Sequence, residues 1–129
     1  MARDEPRGET LRIEIFPADL DATVRFYTRV LGFDLVRDER TSDVPYVALR
    51  RGEVHVGAAW RDARDMRGRR PPLGVELVLE TDDLLGARQR VVDAGWPLEE
   101  DLTERPWGLR DVRILDPSGY YWRLTDRAS

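Results

Sequence analysis

One plan of hydrophobic and turn-forming residues is written twice along this chain, and that duplication restricts what it can fold into more than any other feature. In the first copy Leu11, Ile13 and Ile15 alternate with Arg12, Glu14 and Phe16, a period-2 pattern that predicts a strand with one apolar and one largely charged face. Asp19 is placed to cap a helix on which Leu20, Val24, Tyr27 and Leu31 form one apolar stripe. Gly32 closes that helix, at the position where a left-handed backbone is cheap. Phe33–Arg37, Pro45–Arg50 and Glu53–Trp60 read as three further strands, the last two joined at Arg51-Gly52. In the second copy Val75, Leu77 and Leu79 alternate with Glu76, Val78 and Glu80. Asp83 then caps a helix carrying Leu84, Ala87 and Val91, and Gly95 ends it. Strand-like stretches follow at Trp96–Leu98, Arg110–Leu115 and Tyr120–Thr125, the last two joined by the turn Asp116-Pro117-Ser118-Gly119. Asp19-Leu20 recurs as Asp83-Leu84 and Gly32-Phe33 as Gly95-Trp96, at nearly the same offset.

The pattern predicts one α+β domain over residues 11–126, made of two tandem βαβββ modules. The first spans about 11–60 and the second about 73–126, behind a loose polar tail at 1–10. Residues 61–72 carry five arginines, two aspartates and a Pro-Pro stop, and read as a solvated linker rather than an anion site. Composition narrows the function. Hydrophobic residues make up 41% of the chain, enough for a core, while charged residues reach 36%. The net charge of −4 argues against nucleic acid as a partner, since phosphate contacts need a basic excess. With no cysteine there is no disulfide framework, thiolate metal site or cysteine nucleophile. No stretch is long and apolar enough for a membrane span, and the polar start resembles neither a signal peptide nor an anchor, so a cytoplasmic location is expected. All 21 basic residues are arginine, the better planar partner for carboxylates.

Two segments resemble a known family. Asp19-Leu20, Phe26-Tyr27 and Leu31-Gly32-Phe33 are similar to the opening helix of the glyoxalase / bleomycin-resistance / extradiol-dioxygenase superfamily, also called vicinal oxygen chelate. Trp107-Gly108-Leu109-Arg110-Asp111 and Asp116-Pro117-Ser118-Gly119 resemble its closing segment, particularly that of bleomycin-resistance-like, antibiotic-binding members. The resemblance implies a curved cup of eight mixed strands with helices outside and the ligand inside. The charged strand faces then line the cup, with Arg12, Glu14, Glu76 and Glu80 joined by Arg113, Tyr121 and Arg123. Metalloenzymes of the superfamily hold one divalent ion by a His or Gln from each module's first strand and a Glu from each module's end. Carried over, the first-strand positions are Arg12 and Glu76, the second closing position is Arg123, and the first lies near His55–Gly57. Arginine cannot ligate a metal, and His55 is the single histidine, so no metal site and no cofactor are expected. The alternative, one divalent ion, would need Glu14, Glu76 and His55 to assemble beside two cations.

A cluster of Arg12, Glu76 and Arg123 is expected where the metal would sit, each guanidinium satisfying one side of the carboxylate. His55 either lines the cup or is a hydrogen-bonded structural residue. Trp122 and Trp96 read as core, whereas Trp60 and Trp107 are candidates to stack on a planar ligand. The leading expectation is a metal-independent protein that binds a small molecule, sequestering an aromatic or cationic natural product, and that forms a homodimer. The alternative is an enzyme of the same superfamily: a lyase, isomerase or dioxygenase, or a metal-free catalyst using Glu14, Glu76 or His55 as acid or base.

Overall fold

The structure, a computed structural model, describes residues 10–62 and 75–127. Most of the tail and most of the arginine-rich linker therefore lie outside the described residues. The elements run β1 (Arg12–Ile15), α1 (Leu20–Arg25), β2 (Asp34–Glu39), β3 (Tyr46–Arg51), β4 (Val54–Ala59), β5 (Leu77–Thr81), α2 (Leu84–Asp93), β6 (Glu100–Glu104), β7 (Arg110–Leu115) and β8 (Tyr121–Asp126). The α+β class and the duplicated βαβββ plan hold, and the strands hydrogen-bond as two sheets of four, ordered β1-β4-β3-β2 and β5-β8-β7-β6. In each sheet the first strand pairs parallel with the last, and the other pairs are antiparallel.

Both helices start where their aspartates allow. Asp19 Oδ1 accepts from the Ala22 amide and Asp83 Oδ1 from the Gly86 amide, each at 2.9 Å, so an otherwise orphaned helix donor is satisfied. Gly32 and Gly95 take φ of 74° and 71° just after the helices, the left-handed geometry that a side chain resists. The end of α1 departs from the sequence expectation: Phe26–Val30 widens into a π-helix, with the Leu31 amide bonding to the Phe26 carbonyl at 3.2 Å. Phe26, Tyr27, Val30 and Leu31 all face the core from this turn.

One core joins the modules. Ile15, Val47, Leu49, Val56 and Ala58 from the first sheet and Leu77, Leu79, Val112, Ile114, Trp122 and Leu124 from the second all face it. At its centre the Tyr27 hydroxyl donates to Asp116 Oδ2 (2.8 Å) and accepts from the Trp122 indole (3.1 Å), tying the first helix to the second sheet. Trp122 is core, as expected, and Trp96 packs partly buried against it with its indole donating to the Leu115 carbonyl at 2.8 Å. That role explains a correction. Trp96–Leu98 is not a strand, because Trp96 and Leu98 turn in together to cover the core, and the second strand of the module is β6, Glu100–Glu104.

Candidate functional site

Alternation along the strands sends one set of side chains to the core and the other to the opposite face, so each module presents a face built mainly of polar groups. In the first module, registers place Arg12 beside His55 and Arg50 in one row, and Glu14 beside Gly57, Ala48 and Arg37 in the next. Arg12 Nε meets Glu14 Oε2 at 2.8 Å, and the Tyr46 hydroxyl donates to the same oxygen at 3.0 Å. Gly57 makes this meeting possible: a Cβ there would overlap both the Glu14 carboxylate and the Tyr46 hydroxyl. Burial, then the hydrogen bond to Glu14 and its charge, push the Tyr46 phenol above its ordinary pKa, so it stays a proton donor. The Arg37 guanidinium lies 5.9 Å from the centre of the same ring. His55 sits half-buried between the two arginines of its row.

The second module's face is more densely ionic. Val78, Arg123, Arg113 and Glu100 share one row across four strands. Glu76 stands one residue before β5 and reaches Arg123 at 3.3 Å and Arg113 at 3.5 Å. Arg113 also contacts Asp111 (3.4 Å) and Glu100 (3.8 Å) and is hydrogen-bonded to Tyr121. Asp111 is 1% exposed. Burial alone would raise its pKa, but hydrogen bonds from Arg105 and Arg113 outweigh it and hold the carboxyl below its ordinary value. Arg105 approaches Asp111 at 2.8 Å from the β6–β7 turn. Arg123 Nε is buried without a hydrogen-bond partner among the described residues, an unmet donor beside Glu76.

The three-member cluster expected from the sequence does not assemble. Glu76 takes Arg123 and Arg113, whereas Arg12 pairs with Glu14 two residues along its own strand. The reason is topological: Arg12 and Glu76 belong to different four-stranded sheets, and Glu14 is the nearer carboxylate. Trp60 is 47% exposed, with its indole donating to the Ala18 carbonyl of the β1–α1 connection at 3.0 Å. Trp107 stands 58% exposed in the β6–β7 turn. Tyr46, Arg105 and Asp111 were not singled out from the sequence, and Gly57 only as the end of the His55–Gly57 range. Asp111 closes the Trp107–Asp111 stretch and lies on the charged face of β7 with Arg113, where nothing in the alternation signals its burial.

The registers also relate the two modules at the position that the sequence left open. Glu14 pairs with Gly57 as Val78 pairs with Arg123, so Gly57 is the counterpart of Arg123. The positions that the family resemblance aligns with a divalent ion's ligands are then Arg12, Gly57, Glu76 and Arg123. Two are cations and one has no side chain, so a single carboxylate remains, and these residues do not fit a metal ion. Among the described residues no three His, Cys, Asp or Glu side chains are grouped to hold one.

Comparison with known proteins agrees with the fold. Residues 10–124 match the profile of the Glyoxalase/Bleomycin resistance protein/Dioxygenase superfamily. TioX from Micromonospora sp. ML1 superposes with a TM-score of 0.75 at 22% identity, covering 94% of this chain and 100% of that one. A bleomycin resistance determinant encoded on the transposon Tn5 gives 0.74 at 21% identity, covering 94% and 99%. Lactoylglutathione lyase from Agrobacterium tumefaciens gives 0.69 at 21% identity, covering 94% and 95%. No curated protein matches by sequence. No described helix is long and apolar enough to cross a membrane.

Proposed function

The chain belongs to the glyoxalase/bleomycin resistance protein/dioxygenase superfamily, and within it we propose a metal-independent small-molecule-binding protein that sequesters an aromatic or cationic natural product. The observation that carries this reading is the set Arg12, Gly57, Glu76 and Arg123 at the metal-ligand positions. Guanidinium groups in place of ligands supply planar stacking surfaces and fixed donors, which suit recognition rather than Lewis-acid chemistry. Glu14 and Glu76 supply the anionic counterpart for a cationic ligand, and Trp107 an exposed aromatic surface. The protein acts in this reading as a cytoplasmic homodimer with two equivalent sites.

Isothermal titration with bleomycin as the first probe, followed by a panel of flat cationic natural products, tests the reading, with elemental analysis alongside. Binding without added metal is expected, as is no stoichiometric divalent ion and a melting temperature unmoved by chelator. Glu76→Gln should weaken binding by about tenfold, the loss of one charged contact. Near-stoichiometric Ni, Zn, Fe or Mn lost together with an activity would overturn the proposal, and so would a panel of which no member binds below about 1 mM. A second reading, a metal-free acid–base enzyme, is favoured by one observation, the Tyr46 hydroxyl hydrogen-bonded to Glu14. Turnover of a bound compound that Glu14→Gln abolishes would select it.

A further inference from the structure

The helical side of the molecule carries a groove that the strand faces do not share. It lies between α1 and α2 and encloses about 1010 Å³. Its floor is Trp96 and Pro117, and behind them the core residue Phe26 meets Trp96 edge to face with centroids 5.0 Å apart. The π-helical turn sets Phe26 there and leaves Arg29 at the rim. The walls are cationic, with Arg25 and Arg29 one turn apart on α1 and Arg90 opposite on α2.

We infer that this groove binds a small aromatic carboxylate, its ring on Trp96 and its charge among Arg25, Arg29 and Arg90. The charges are the reason. Arginines elsewhere in the chain mostly sit on carboxylates, as Arg40 does on Asp38, Arg88 on Asp101, Arg105 on Asp111 and Arg110 on Asp126. The guanidinium groups of Arg25, Arg29 and Arg90 have no ion pair or hydrogen bond among the described residues. Like charges four residues apart on a helix repel, so the Arg25/Arg29 pair is an unfavourable choice for the helix alone. A second repulsion lies behind Arg90. Its guanidinium rests over Gly32, where a Cβ would lie 3.2 Å from Nε, close to Arg51, which donates to the Leu31 carbonyl at 2.9 Å. Burial, and then the charge of Arg90, lower the pKa of Arg51. The one carboxylate lining the groove, Asp93, already accepts from Gln89 at 2.8 Å. In a chain with 25 acidic residues, three cations without an ion pair among the described residues around one groove with an indole on its floor suit a ring with an anionic group.

Titration with 2-naphthoate, followed by calorimetry and by amide and indole NMR shifts, tests the assignment. Its neutral partner 2-naphthalenemethanol and the ringless acetate serve as controls. Binding of naphthoate below about 1 mM is expected, with shifts centred on the Trp96 indole and on residues 25–30 and 86–94. R29Q and R90Q should each weaken it about tenfold, and both controls should bind at least about tenfold more weakly. Both arginines are exposed, so these variants keep the fold, which circular dichroism checks. R12Q should leave naphthoate binding unchanged, which separates this groove from the strand faces. Equal binding of the alcohol, shifts centred on the Arg12 or Arg123 faces, or no binding would overturn the inference. Concentration-dependent shifts of the groove resonances without ligand would do so as well, by assigning the groove to a second copy of the chain.

Discussion

Removing Glu76 tests how the two charged faces are organised. Glu76 holds Arg123 at 3.3 Å and Arg113 at 3.5 Å, and the side chains are about a quarter exposed or less (25%, 24% and 19%). At an effective dielectric constant of about 20, unit charges about 4 Å apart attract by about 4 kcal/mol before desolvation and screening are subtracted. With this much solvent access most of that is cancelled, so Glu76→Ala should cost about 1–2 kcal/mol. Arg113 keeps Asp111 and Glu100, so the cost falls mainly on Arg123, whose Nε already lacks a partner. Arg123→Ala leaves Glu76 paired with Arg113 and should cost less, about 0.5–1 kcal/mol. The two changes share a contact, so the double variant should cost about 1 kcal/mol less than their sum. Arg12→Ala is different. Its partner is Glu14, and Arg12 is 66% exposed, so it should cost under about 0.5 kcal/mol and add to Glu76→Ala within about 0.5 kcal/mol. Urea denaturation of the single and double variants at several protein concentrations measures all of this. A coupling above about 1 kcal/mol between Arg12 and Glu76 would refute the separation of the two faces, and costs within about 0.5 kcal/mol throughout would make both faces merely solvated.

Tyr27→Phe removes a fully buried hydroxyl and strands the Trp122 indole donor, which should cost about 2–4 kcal/mol in the same denaturation assay. Gly57→Ala should displace the Glu14 carboxylate and Tyr46 hydroxyl from each other, visible as a fall of the Tyr46 phenol pKa toward its ordinary value in ultraviolet titration. Asp111 has a folded pKa below its unfolded one, so its contribution to stability is complete above the unfolded carboxylate value near about 4 and is lost as pH falls through the lower folded value. Asp111→Asn should therefore lower stability at neutral pH and flatten its fall in that acid window, and an unchanged acid limb would contradict the assignment.

The fold was legible because its signals are local and repeated. Asp19 and Asp83 cap their helices, Gly32 and Gly95 end them in the left-handed region, and the alternating strands pair as their patterns require. What misled is a residue whose apolar character serves packing rather than a strand. Trp96 and Leu98 look like a strand because both are large and apolar, yet they close over the core. The strand that follows, Glu100–Glu104, carries almost no apolar signal, since an edge strand bonded to the ionic row of β7 needs none. The π-turn was equally invisible. Its apolar residues 26, 27, 30 and 31 fit a helix of ordinary pitch as well, and only the Leu31 amide reaching back to the Phe26 carbonyl shows the wider one.

The charged faces were legible as faces but not as partnerships, for a physical reason that the arginines make plain. Period-2 alternation states which side chains share a side of a sheet, and Arg12, Glu14, His55, Glu76, Arg113, Tyr121 and Arg123 do lie opposite the core. It says nothing of which sheet lies within reach of which, and an ion pair is decided over a few ångströms. Glu14 is two residues from Arg12 on the same strand, and no alignment of modules is needed for them to meet at 2.8 Å. The pairing that the repeat suggested, between matching positions of the two modules, asks for a contact between separate sheets. Gly57 sharpens the point. A glycine at that strand position reads as a weakness, yet its missing Cβ is what admits the Glu14–Tyr46 hydrogen bond. The repeat thus identifies equivalent positions, and the chemistry at each is then set by the neighbours that its own sheet supplies: a phenol and a guanidinium around Glu14, two guanidiniums around Glu76.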